Sequence, residues 1–296
     1  MIRFHHLTKR YAAVVAVADL SLTIEKGEVI ALLGPNGSGK TTSLKALAGL
    51  VRPSSGSVTI QGLEAFVPEA RRVASFLPQK VAFPEGLSGR EVVTFYQRLR
   101  GVDSSRVGAA LRLASLNGAS DRATGTYSGG MLQRLGLAVA TMPDAPLLLL
   151  DEPTAALDSE GLSVFYQLVE QRQRQEKTIV FTSHQLGDAE KLADRFAILV
   201  EGHLVALLTR RDLADRLEAG GLLRLRVSGS ASFLLDRIRE IAPAAYLAAD
   251  ELIVPGSATI RPAVIDIVRN AGIEIRGLTT EESRMDGLYR ELVRGA

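Results

Sequence analysis

Residues Gly34 to Thr42 read GPNGSGKTT, with three glycines, one lysine and three hydroxyls in nine positions. Residues without a Cβ reach backbone angles that let successive N–H groups converge on one point, so such a loop is a cradle for an anion. The apolar run Val29–Leu33 comes just before it, and a helical pattern over Thr42–Leu50 just after. Strand, tight loop and helix in that order require an α/β fold, in which the strand is buried and the helix adds its positive N-terminal end to the loop. An ordinary Gly-rich turn is the alternative, but every fixed position of G-x-x-x-x-G-K-[ST] is filled, at Gly34, Gly39, Lys40 and Thr41. That pattern specifies a phosphate: Lys40 reaches the β- and γ-phosphates, and the Thr41 hydroxyl binds Mg²⁺.

Other stretches decide which phosphate chemistry follows. LLLLDEPTAALD, Leu147 to Asp158, is a second apolar strand ending in two carboxylates. Its exit places Asp151 to hold the Mg²⁺ shell and Glu152 to take a proton from an attacking water. Alone, an Asp-Glu pair also fits a helix cap or a turn. LPQ ends at Gln79 and FTSH at His184. In TYSGGMLQR, Thr126 to Arg134, the turn Ser128-Gly129-Gly130 opens an apolar helix that runs to Met142, giving a second set of amides suited to an anion.

With these motifs in this order, residues 1 to about 215 resemble the nucleotide-binding subunit of an ABC transporter. The resemblance implies a P-loop NTPase fold with a RecA-like core, an antiparallel β subdomain and a helical subdomain at about 87–142. It also implies ATP as substrate, Mg²⁺ as cofactor, and a head-to-tail homodimer in which Ser128, Gly129 and Gly130 face the γ-phosphate held by the partner. By the same resemblance Tyr11 stacks on adenine, and Gly34 with Asn36, Gly37, Ser38, Gly39, Lys40, Thr41 and Thr42 binds the phosphates. Gln79 senses Mg²⁺ and water at the membrane-domain contact, Asp158 crosses the dimer, and His184 is the γ-phosphate switch. Tyr11 as a packing aromatic, Gln79 as a solvated amide and His184 as a cap remain the plainer alternatives. The signature departs from the common LSGGQ at Tyr127 and Met131, while Gln133 and Arg134 agree with the usual downstream pair.

The single cassette, the YSGGM signature and the C-terminal appendage resemble ATPase subunits of exporter-like systems whose permease is a separate transmembrane chain. More narrowly, VAFPEGLSGREVVTFYQRLRGV, TYSGGMLQRLGLA and MDGLYRELV resemble NosF-type subunits, which serve maturation of the copper enzyme nitrous oxide reductase. That implies a periplasmic copper-related protein reached through the permease. Direct metal handling is not expected: on a regular strand His5 and His6 point to opposite faces and chelate poorly. A soluble ABC ATPase of translation or DNA repair would carry two cassettes or long coiled-coil insertions, and a regulatory module would lack Glu152 or His184.

Net charge is +2, with no run of five like charges, so no nucleic-acid footprint is expected. There is no cysteine, which fits a reducing compartment. The N-terminus lacks a signal-peptide pattern and no stretch reaches the ~20 apolar residues of a membrane span. These features predict a cytoplasmic chain, peripheral on the inner face of the cell membrane through its permease. After about Arg211 the pattern changes to alternating strands and amphipathic helices, predicting domains at 1–215 and 221–296. The second reads as a small α+β accessory domain of ferredoxin-like type.

Overall fold

The computed structural model describes residues 1–116, 118–184, 186–219, 221–228, 232–248 and 251–281, with the backbone alone for 218 and 219. The chain divides into two compact units, Met1–Leu207 and Leu208–Ala296.

In the first unit, β1 (Ile2–Tyr11) and β2 (Val14–Ile24) form an antiparallel hairpin that is longer than the sequence pattern indicated. Its turn uses Ala12 at φ 49°, without the Gly or Asn that normally marks such a site. The regular alternation expected at His5 and His6 is broken. The β1–β2 register slips between Phe4 and Leu7, His6 adopts φ 48°, and the two rings meet edge-to-face at 4.7 Å. A bulge of this kind re-aims side chains, which is why simple period-two reasoning fails there. His6 Nδ1 is hydrogen-bonded to Asp19 Oδ1 at 2.6 Å. Gly56 permits the bulge, since a Cβ at that position would lie 2.1 Å from the His6 carbonyl oxygen.

Next come β3 (Val29–Leu33), α1 (Lys40–Leu47), β4 (Ser55–Ile60), β5 (Leu63–Glu64), α2 (Pro68–Arg72) and β6 (Ala74–Leu77). The antiparallel sheet has the order β2-β1-β4-β5. Three helices follow, α3 (Gly89–Arg100), α4 (Ser105–Leu113) and α5 (Gly129–Thr141). Ser88 and Glu91 form a reciprocal capping box at the start of α3, and Gly101 closes that helix at φ 63°. Val92, Val93, Leu111, Tyr127, Leu135 and Met142 are among the buried residues of this helical core.

The remaining elements are β7 (Leu147–Leu150), α6 (Ser159–Arg174), β8 (Thr178–Ser183), α7 (Leu186–Leu192), β9 (Arg195–Val200) and β10 (His203–Thr209), after which α8 (Arg210–Ala219) begins within the second unit. They complete a six-stranded sheet of order β10-β9-β3-β8-β7-β6, parallel from β9 to β6. The β9–β10 turn has positive φ at both Glu201 and Gly202, which a tight hairpin needs. β3, β7 and β8 are buried along their whole length. That burial explains their continuous apolar runs, and it fixes the loops at their C-terminal ends, where α/β sheets place ligands. Leu7, Ile24, Leu32, Leu44 and Leu149 share one core that joins the antiparallel sheet, α1 and the parallel sheet.

The second unit contains β11 (Leu222–Val227), α9 (Leu235–Arg239), β12 (Tyr246–Ala248), β13 (Glu251–Pro255), α10 (Arg261–Asn270) and β14 (Ile275–Glu281). Its antiparallel sheet runs β12-β13-β11-β14, the strand order of a ferredoxin-like βαββαβ unit. β12 has only three residues and left no period to read in the sequence. Leu223, Leu225, Leu252 and Val254 pack with Ile238, Val264 and Val268. The sequence-based border at 215–221 falls at the end of α8, whereas the compact units meet at Leu207 and Leu208. The helix expected over EESRMDGLYRELV starts at Glu281, which is instead the last residue of β14, and the rest of it lies outside the described residues.

Candidate active site

The loop after β3 is built by close approach. A Cβ at Gly34 would lie 2.3 Å from both the Leu199 carbonyl oxygen and Ser38 Oγ, and one at Gly39 would lie 2.4 Å from the Ala16 carbonyl oxygen. Gly37 has open space around it but φ 84°, so its requirement is conformational. Gly39 is the N-cap of α1 and brings no capping side chain, so the first-turn amides of that helix are left for an outside anion. Pro35, Asn36 and Gly37 are exposed, while Ser38, Gly39 and Lys40 are buried.

Lys40 Nζ donates to the carbonyl oxygens of Gly34 at 2.8 Å and Pro35 at 3.1 Å. It also lies 3.9 Å from Glu152 Oε1. Burial pushes its pKa down, with the Glu152 and Asp151 carboxylates opposing that shift. Thr41 Oγ1 donates to Asp151 Oδ1 at 2.9 Å, and Thr182 Oγ1 donates to the same oxygen at 2.8 Å. Thr182 Oγ1 in turn accepts the Glu152 amide at 2.8 Å. Glu152 sits at φ 49°, a left-handed conformation that costs a non-glycine residue about 1–3 kcal/mol and tends to mark functional turns. Its Oε2 is hydrogen-bonded to His184 Nδ1 at 2.6 Å. Asp151 and Glu152 are buried and the His184 side chain is half exposed.

This arrangement fits Mg²⁺–triphosphate. Ser38 Oγ is buried without a hydrogen-bond partner, the first turn of α1 has no capping side chain, and the Thr41–Asp151 pair is formed in that same turn. Among the described residues no group of three or more His, Cys, Asp or Glu could hold a metal.

The structure thus brings Lys40, Thr41, Asp151, Glu152 and His184 together and leaves other expected residues apart. Thr42 is half-buried in the first turn of α1. Tyr11 is exposed, with Lys9 Nζ 4.9 Å from its ring centroid. Gln79 is exposed two residues beyond β6 and makes no hydrogen bond among the described residues. Ser128 is the exposed N-cap of α5, its Oγ accepting the Met131 amide at 3.2 Å, with Gly129 exposed and Gly130 half-buried after it. Asp158 caps α6 and accepts the Gly161 amide at 2.8 Å. The buried Arg134 ties α5 to the start of α6, lying 3.8 Å from Asp158 and 3.1 Å from Glu160.

Both departures from the common signature turn inward. Tyr127 is buried and donates its hydroxyl to the Ala119 carbonyl at 2.7 Å. Burial raises its phenol pKa, so the group stays a donor. Met131 packs against the same helical core. Thr182 is the site residue that sequence reasoning missed. Its signal was only its place two residues before His184.

A phosphate cradle at a parallel strand, a carboxylate pair at the next strand but one and a histidine at the strand between define a nucleotide-hydrolysing P-loop protein. Comparison narrows the class. Residues 17–155 match the ABC transporter family. The linearmycin resistance ATP-binding protein LnrL of Bacillus subtilis (strain 168) is 31% identical over 248 residues, covering 82% of this chain and 80% of that protein. The ABC transporter ATP-binding protein NatA of the same organism is 34% identical over 197 residues, covering 64% and 80%. The human retinal-specific phospholipid-transporting ATPase ABCA4 is 32% identical over 249 residues, of which this chain spans 11%. The ATP-binding cassette MJ0796, solved as a dimer with ADP and Pi, aligns at a TM-score of 0.67 and 27% identity, over 71% of this chain and 99% of that one. The chain belongs to the ABC transporter ATP-binding proteins and is an ABC ATPase. No helix among the described residues is long and apolar enough to cross a membrane.

Proposed function

We propose that this chain is the hydrolytic subunit of an exporter whose permease is a separate polypeptide, and that two copies close head-to-tail around two ATP molecules on the cytoplasmic face of the membrane. The carrying observation is the Glu152 carboxylate, buried and held between Lys40 and His184 beside the Thr41–Asp151 pair. The dimer reading rests on the exposed Ser128 turn and on the dimeric cassette MJ0796.

Phosphoryl transfer to water asks for positioned charge more than covalent chemistry. Lys40 and the loop amides stabilise the equatorial oxygens of the γ-phosphate as charge develops there. Glu152 takes the proton of the attacking water, and His184, bonded to that carboxylate, fixes its orientation and contacts the γ-phosphate. Thr41, Asp151 and Gln79 would hold Mg²⁺, which when bound supplies positive charge to the β- and γ-phosphates. From the partner copy, Ser128 donates its hydroxyl hydrogen, since its oxygen already accepts an amide. ATP contacts both chains, so its binding favours the closed dimer, and hydrolysis releases it. Gln79 and the helical subdomain face the permease and feel that closure.

Replacing Glu152 with Gln should retain ATP binding, lower turnover by at least about 100-fold and accumulate the closed dimer. A wild-type rate in Glu152→Gln would refute the assignment.

For cargo, relatives named for linearmycin resistance and phospholipid transport favour export of an amphiphile. The narrower reading, service to nitrous oxide reductase maturation together with a periplasmic copper-related protein, rests on the resemblance of the three quoted segments. Deleting the gene separates the two readings. Sensitivity to amphiphilic drugs supports the first, and nitrous oxide reductase lacking copper supports the second.

A further inference from the structure

Asp188 is a buried acid that the hydrolytic chemistry leaves unused. The Tyr166 hydroxyl donates to its Oδ1 at 2.5 Å, and its Oδ2 has no hydrogen-bond partner. Burial and then the neighbouring carboxylate push the Tyr166 phenol up to about 12, so it remains a donor at neutral pH. Lys191 Nζ stands 5.3 Å from the centroid of the same ring.

The pair links two helices that each follow a site residue in the chain, α6 after Asp158 and α7 after His184. Tyr166 is on α6, whose N-cap is Asp158. Its neighbour Phe165 is fully buried, with its ring centroid 6.4 Å from that of Phe181 on β8, so this part of α6 is anchored to the sheet. Asp188 is on α7, four residues beyond His184. On the other side of His184, Thr182 is tied to Asp151 and Glu152. His184 therefore lies in the chain between two tied residues, Thr182 before it and Asp188 after it. A weaker tie runs in parallel, Gln173 Nε2 donating to the Leu192 carbonyl at 3.4 Å.

We infer that Tyr166 and Asp188 are positioning residues that hold α7 against α6 and thereby fix His184 at the Glu152 carboxylate, in register with the helix that begins at Asp158. This rests on the role proposed above for His184. A hydrogen bond to a buried carboxylate serves this purpose because it is directional and resists breakage where water cannot replace it.

The sequence has only four histidines, so their imidazole Cε1–H signals can be followed singly by NMR in the full chain. Tyr166→Phe should lower kcat about three- to tenfold, leave KM for ATP within about twofold and move the His184 signal alone. Asp188→Asn keeps an acceptor for the phenol and should stay near the wild-type rate, whereas Asp188→Leu should reproduce Tyr166→Phe. The inference is overturned if kcat and the His184 signal do not move, if the signal moves without kcat, or if kcat and KM change together with all four signals, as in a general loss of fold. A wild-type rate in His184→Ala would instead defeat the underlying role of His184, and the His184 signal in Tyr166→Phe would still report whether the pair positions that ring.

Discussion

The two anion-accepting turns of this chain are built in opposite ways. The loop at Gly34–Thr42 is pressed against backbone from two strands, encloses a buried lysine and has an unpartnered hydroxyl inside. The turn at Ser128–Gly130 is an exposed N-cap with room above Gly129, and its hydroxyl is already engaged by the Met131 amide. The first resembles a finished half of a pocket. The second resembles a surface that gains its role only against another molecule. The loop matches its pattern at every fixed position, while the turn is intact but flanked by two departures, Tyr127 and Met131, both of which pack into the helical core.

The sharpest way to break this comparison is to damage each turn separately. Lys40→Ala should weaken ATP binding to the single chain about 10- to 100-fold, the cost of one charge-assisted contact. Ser128→Arg should leave that binding within about twofold yet lower turnover about 100-fold, because the donor is needed only in the closed state. Nucleotide titration and steady-state ATPase assays read both, and equal binding defects would erase the distinction. A smaller effect is expected at Thr182→Val, which leaves the Glu152 amide and one Asp151 oxygen short of a partner. It should cost about 1–3 kcal/mol in denaturant unfolding and about tenfold in turnover. Least affected should be Met131→Gln, within about threefold of the wild-type rate, since that side chain packs inward. A large gain would mean that the signature position addresses nucleotide directly.

Much of this was legible because it is contiguous in the chain. GPNGSGKT specifies its own backbone geometry, and LLLLDE announces a buried strand with acids at its exit. What could not be read depends on contacts between distant segments. Thr182 matters through Asp151, 31 residues away. In the sequence Tyr127 was only a departure from the common signature, and the fold places it in a core under Gly89, where any Cβ would meet its hydroxyl at 2.3 Å. The His5–His6 bulge depends on Gly56 in another strand, and β12 is too short to carry a period. Local pattern reveals what a segment must do by itself and little about what its neighbours allow.

The proposal that each copy completes its partner's pocket is tested most directly by mixing two defective chains. Lys40→Ala lacks a working loop and Ser128→Arg lacks a working turn, so each alone should be nearly inactive. Random dimers of an equal mixture are half mixed, and each mixed dimer has one sound pocket, so ATPase activity should recover to up to about a quarter of wild type. A mixture no more active than its separate components would show that each chain hydrolyses ATP within itself and would contradict the account.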